Sequence, residues 1–151
     1  MGPCARQLLT FAHPHPLSPC HRCPGCVLWC LGFLTETVAD AQKSAWRAKP
    51  GNTGRFIDTG LWSLARHPNY GGEIMVWCGM AALSLAGLAG SPMSMAAAVC
   101  SPLFVTFLLT KVSGVPMLQR SAEKRWGKEP GFRAYTARTQ GLRLLFPFPR
   151  L

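Results

Sequence analysis

The stretch IMVWCGMAALSLAGLAGSPMSMAAAVCSPLFVTFLLT, residues 74–110, contains no Asp, Glu, Lys, Arg or His in 37 consecutive positions. Helices of a soluble domain must show a polar face to water, and a run this long offers none. A bilayer core takes about 20 apolar residues per helical crossing, so the run predicts two crossings, Ile74–Leu88 and Met93–Thr110, joined by the turn Gly87-Leu88-Ala89-Gly90-Ser91-Pro92. The competing reading is a buried hairpin of a larger soluble protein. With only 15% of the chain charged against 48% hydrophobic, the membrane reading is preferred.

Outward from the run, charge becomes strongly asymmetric. Of 16 Lys and Arg, nine lie from Lys111 to Arg150, where Glu123 and Glu129 are the acids. Five more (Lys43, Arg47, Lys49, Arg55, Arg66) precede the run. A hairpin returns the chain to the side it left, so both basic segments share one face, as the positive-inside rule expects of cytosolic segments. The net charge of +10 therefore reads as membrane topology and not as nucleic-acid binding, which would interleave cations with aromatics on a soluble fold. Leu8–Ala12 is too short for the apolar core of a signal peptide.

Residues 1–25 form a Pro-, Cys- and His-rich segment whose prolines at 14, 16, 19 and 24 predict irregular chain. From Cys26 to about Arg47 the pattern is helical. Pro50-Gly51-Asn52-Thr53-Gly54 marks a loop. Pro68 and Asn69 open the first helix of the hairpin, Tyr70 to about Leu88. Met93 to about Val115 is the second, with Pro102 inside it as a kink or first-turn adjustment. Pro116 to about Arg138 reads as an interfacial amphipathic helix broken near Pro130-Gly131. The fold class is thus all-α: a membrane hairpin plus flanking helices, the C-terminal part of a multi-helix membrane bundle. The domain proper covers residues 26–151.

Three groups of residues could carry chemistry. Glu36, Asp40, Lys43 and Arg47, spaced four, three and four apart, occupy one helical stripe. Such a stripe can be a set of surface ion pairs worth a few tenths of a kcal/mol each. It also suits a nucleotide, carboxylates accepting from hydroxyl or amide donors and cations pairing with phosphate. Arg66-His67-Pro68-Asn69-Tyr70-Gly71-Gly72-Glu73, with Trp77 one turn on, forms the second. A helix start here offers free N–H groups and a positive dipole end to a phosphate, while His67 and Tyr70 could equally be interfacial anchors. Cys20, Cys23, Cys26 and Cys30 form the third. Their C-x2-C-x2-C-x3-C spacing resembles a ferredoxin motif, but Leu31 stands where proline is expected and no second motif follows. No metal is expected there.

The run Glu36-x3-Asp40-x-Gln42-Lys43, with Gly60-Leu61-Trp62-Ser63-Leu64-Ala65-Arg66-His67-Pro68-Asn69-Tyr70-x-Gly72-Glu73-x3-Trp77, resembles the C-terminal domain of the steroid 5-alpha-reductase family. Within that family it looks closest to the broadly distributed branch, as do Lys111-Val112-Ser113-Gly114-Val115-Pro116 and Tyr135-x2-Arg138-Thr139. The resemblance spans about Leu28 to Pro147. It implies a multi-pass protein of the endoplasmic reticulum or another endomembrane. It also implies NADPH in a cytosol-facing cavity and hydride delivery to an activated carbon–carbon double bond of a hydrophobic, lipid-like molecule. Carried over, Asp40, Arg47, Arg55, Asn69, Glu73 and Trp77 would contact NADPH. Trp62 and Tyr70 would line the cavity, and Glu36 stands where relatives can carry Asn. The acid and tyrosine that polarise the substrate in full-length members lie in N-terminal helices without a counterpart here. RHPxYxG is shared with isoprenylcysteine carboxyl methyltransferases, which bind S-adenosylmethionine. Membrane methyltransferase and non-catalytic remnant therefore stand beside reductase as alternatives.

Overall fold

The computed structural model describes residues 19–87 and 92–139, and every regular element in them is helical. Helix α1 spans Pro19–Arg47, α2 spans Pro68–Gly87, and α3 spans Pro92–Phe107, passing into a single π-helical stretch at Leu108–Val112. Two short helices, α4 (Val115–Trp126) and α5 (Pro130–Arg138), complete the order. Short 3-10 turns at Pro50–Asn52 and Gly60–Ser63 punctuate the α1–α2 connection. The break between α4 and α5 falls where Pro130 fixes the first position of a new helix, as expected.

Helix α1 begins seven residues before the expected Cys26. Pro24 lies inside it, one turn from its start. A proline there forfeits one intrahelical hydrogen bond near an end whose N–H groups are already short of partners. Residues 1–18, the turn residues 88–91 and the tail 140–151 lie outside the described residues, and with them most of the expected irregular segment and the turn of the hairpin.

Helices α1 and α2 form an antiparallel pair sealed by glycine. Gly25 faces Leu83 and Gly79, Gly79 faces Trp29, Gly32 faces Gly72 and Val76, and Gly72 faces Glu36, so one chain advances as the other retreats. Gly25 and Gly32 are one heptad apart on α1, as are Gly72 and Gly79 on α2. A Cβ on Gly32 would lie 2.7 Å from the Gly72 carbonyl oxygen, and one on Gly79 would lie 2.6 Å from the Trp29 backbone nitrogen. The backbones themselves are in contact. Close backbone approach through small residues is how helices associate where lipid removes the hydrophobic drive.

Helix α3 is different. Met93 is 81% exposed, Leu103 64% and Phe104 61%, and no residue of α3 is buried. Among the described residues one helical stretch, Pro92–Trp126, is long and apolar enough to cross a membrane, and none of its most apolar part is covered by protein. The pair of such helices expected from sequence is not reproduced. The first three residues after Asn69 are Tyr70, Gly71 and Gly72, followed by the ionisable Glu73, which leaves α2 a shorter apolar stretch within its described residues. Thr106 and Thr110 satisfy their hydroxyls on the carbonyls of Pro102 and Thr106, 2.7 and 2.6 Å away, which hides polar groups on an apolar helix.

Candidate functional site

At the end of α1 opposite its glycine seam, the α1–α2 connection folds back under α4 and α5 and encloses a cavity of about 180 Å³. Trp62 forms its floor. The indole N–H of Trp62 donates to the Ala39 carbonyl on α1 at 2.9 Å, and the Tyr135 hydroxyl of α5 donates to the Trp62 carbonyl at 2.8 Å. The backbone N–H of Leu61 donates to Gln42 Oε1 at 2.9 Å. Gly60, at φ +60°, gives the chain its turn beneath Gln42, where a side chain would collide with the amide. These bonds fix the 3-10 turn to α1 and make the cavity wall a shared product of three elements.

The lining is cationic and aromatic. Lys43, Arg47, Arg55, Arg66 and Arg125 contribute to it and no carboxylate does. Phe56 packs against Trp126, Phe132 and Tyr135 at ring-centroid distances of 6.1, 5.3 and 5.3 Å, forming an aromatic wall. Lys43 Nζ lies 4.6 Å from the centroid of the Trp62 ring, a cation–π contact that holds the ammonium at the floor. Burial, followed by repulsion from Arg47, lowers the pKa of Lys43, and burial lowers that of Arg66. Both cations are desolvated and both would gain from an anion.

Four side chains, three of them lining this cavity, bury polar atoms that have no hydrogen-bond partner: Trp46 Nε1, Arg66 Nε, both ring nitrogens of His67, and, outside the lining, Asn69 Oδ1. Unpartnered buried groups cost about 1–3 kcal/mol each, so three such side chains in one lining mark a place suited to a ligand or ordered water. His67 is 7% exposed and stacks on Tyr70 at 5.6 Å. Burial, then Arg66 and Lys43, depress its pKa to about 4, which makes it a neutral ring near pH 7 with one donor and one acceptor.

Of the twelve residues singled out from sequence, Lys43, Arg47, Arg55, Trp62, Arg66 and His67 line the cavity. Asn69 does not line it, and its buried oxygen has no partner. Glu36, Asp40, Tyr70 and Glu73 gather instead along the α1–α2 seam. There burial, then Glu73 and Asp40, raise the carboxyl of Glu36. Burial and Asp40 raise that of Glu73, and burial, Glu73 and Asp40 raise the Tyr70 hydroxyl. The stripe Glu36-Asp40-Lys43-Arg47 is thus split: its acids serve one side and its cations the other. Trp77 is half-buried on α2 and does not line the cavity. Cys26 and Cys30 are exposed free thiols, while the side chains of Cys20 and Cys23 lie outside the described residues.

Sequence reading missed Trp46, Phe56, Arg125, Trp126, Phe132 and Tyr135 as cavity residues. A local signal exists for several of them. Trp46-Arg47, Arg55-Phe56 and Arg125-Trp126 are three neighbouring cation–aromatic pairs, each of which delivers both members to the cavity.

Comparison with known proteins bears on this geometry. The chain matches, over residues 8–139, the family described as "Protein of unknown function (DUF1295)". A protein of Ustilaginoidea virens named "Probable O-methyltransferase ustE" is 33% identical over 64 residues, 42% of this chain. The match covers 22% of that protein, so the chain corresponds to a minor part of it. No solved structure matches.

Proposed function

The chain belongs to that DUF1295 family, and we propose that it is the nucleotide-binding domain of a membrane reductase that takes NADPH in the cationic cavity. The single observation that carries this reading is a lining of five cations and no carboxylate beside buried, unpartnered Arg66, His67 and Trp46. Arg47 and Arg55 would meet phosphate, and Arg66 and the neutral ring of His67 would orient the rest of the ligand. When bound, the nicotinamide cofactor supplies a hydride. The chain's own contribution is to bind, to orient and, through the Phe56-Trp126-Phe132 wall, to exclude water.

The resemblance to steroid 5-alpha-reductases supports a hydrophobic, lipid-like substrate with an activated double bond. The apolar part of the helical stretch Pro92–Trp126 supports a site at a membrane surface. Insertion as a two-crossing hairpin, with α2 joining α3 in an endomembrane, belongs to the same proposal and follows from the charge-free run and its basic flanks.

A second reading has its own support: the relative named as an O-methyltransferase and the shared RHPxYxG core. S-adenosylmethionine carries a sulfonium and an ammonium, which would favour the carboxylates Glu36, Asp40 and Glu73 over the cationic cavity. Binding separates the two. With the full chain in nanodiscs, Arg47→Ala and Arg55→Ala should each weaken NADPH binding about ten- to a hundredfold, the range of a lost charge-assisted contact. S-adenosylmethionine affinity abolished by Asp40→Ala, with no NADPH signal, would establish the methyltransferase instead. Binding of neither would favour the remnant.

A further inference from the structure

A second, larger chamber of about 540 Å³ adjoins the first; Trp46, Arg47, Arg55, Arg125 and Trp126 line both, and Glu129 adds one carboxylate to the second. The cavity is therefore one cleft with two chambers, and these five residues form the partition. Arg125 and Trp126 differ from the other three. They sit on the helix α4, whose Leu118, Ser121, Ala122 and Arg125 turn one face to the inner chamber. The ring of Trp126 is also fixed in orientation. Its indole N–H donates to the Gly54 carbonyl, and its ring packs against Phe56 and Phe132. Trp46, by contrast, leaves its Nε1 without a partner, and Arg55 lies on a loop.

We propose that Arg125 and Trp126 form the subsite for the adenosine 2′-phosphate end of the cofactor, with Arg125 determining the preference for NADPH over NADH. This rests on the nucleotide reading above. That end of NADPH carries an aromatic base and a phosphate on one nucleoside, so its subsite needs a presented ring face beside a cation. A fixed, half-buried indole next to a guanidinium, where three arginines line both chambers against one carboxylate, meets that need. The base stacks on Trp126 and the 2′-phosphate pairs with Arg125. Arg47, at the end of α1, and Arg55, on the loop, are left for the pyrophosphate.

The test is equilibrium binding to the full chain in nanodiscs, with NADPH, NADH, adenosine 2′,5′-bisphosphate and adenosine 5′-monophosphate as probes. Wild type should bind the bisphosphate more tightly than the monophosphate. Arg125→Ala should lower NADPH affinity about tenfold or more and leave NADH affinity unchanged, and Arg125→Lys should restore part of the difference. Trp126→Phe should keep most binding but abolish the quenching of indole fluorescence that the bisphosphate causes. Equal losses for NADPH and NADH in Arg125→Ala, with its melting unchanged, would overturn the assignment. So would a preference narrowed by Arg55→Ala and untouched by Arg125→Ala, a result that would leave the nucleotide reading standing. A wild-type chain that binds neither dinucleotide would remove both.

Discussion

Helices α2 and α3 draw on the same uncharged stretch of sequence and solve the burial problem in opposite ways. Helix α2 presses glycine against the backbone of α1 and closes a seam in which no methyl group fits at Gly32 or Gly79. Helix α3 buries nothing and leaves Met93, Leu103, Phe104 and Phe107 between 56% and 81% exposed. Apolarity alone therefore does not say whether protein or medium will cover a helix. Small residues recurring every seven positions, read on both partners at once, do.

The sharpest way to break this contrast is to give the seam a side chain. Gly79→Leu would drive its Cβ to 2.6 Å from Trp29 N and 2.9 Å from the Gly25 carbonyl, backbone atoms that cannot swing away. Overpacking a closed site costs about 1–3 kcal/mol, and more where backbone must move. We expect Gly79→Leu to abolish folding, measured as loss of the monodisperse, helical species in detergent. Normal melting of that variant would show the seam to be open.

Titration gives the next effect. The depressed pKa of His67, about 4, means that between pH 6.5 and 4 the unfolded chain binds a proton that the folded chain refuses. Stability is therefore full above about pH 6.5 and lost as pH falls toward 4, by up to about 3 kcal/mol for a shift of this size. The raised carboxyls of Glu36 and Glu73 act in the opposite direction, losing stability as pH rises above their ordinary 4.5. Denaturation between pH 4 and 7 should show His67→Phe removing the acid-side loss, and Glu73→Gln removing part of the opposing slope. A flat wild-type profile that neither variant alters would contradict both directions.

Helix α3 should fail differently from the seam. Leu103→Asp would place a charge in an apolar helix that no protein covers, at a cost of about 3 kcal/mol to insertion. Leu103→Ala should do little to stability, because no packed neighbour loses contact. Protease protection in microsomes would measure the first and thermal melting the second. Destabilisation by Leu103→Ala as large as that of a core truncation would mean that protein covers α3 after all. A modest loss is expected of Tyr135→Phe, which removes one buried hydrogen bond to Trp62 and should cost about 1 kcal/mol in thermal melting.

What the sequence made legible follows the range of the physics. Charge-free length, Pro68 at a helix start and Pro130 at a break are local signals, and α2 through α5 lie close to where they point. The start of α1 was hidden because Pro24 reads as a breaker although its cost is small near a helix end. The seam was hidden because Gly25, Gly32, Gly72 and Gly79 acquire meaning only when two distant segments are aligned. The basic half of the site was visible in Lys43, Arg47, Arg55, Arg66 and His67. Its C-terminal wall was not, since Trp126, Phe132 and Tyr135 lie about 70 residues from the partners they contact, and no periodicity records that distance.

The pair of bonds through Trp62, donated to Ala39 on one side and accepted from Tyr135 on the other, also orders events in time. The floor of the cleft is pinned by α5, a helix that is synthesised after α1, α2, α3 and α4. Whatever the cleft binds can reach its full set of contacts only once α5 has been made. A chain cut short before α5 would keep its apolar helices and its cations, but the turn carrying Trp62 would hang from α1 alone.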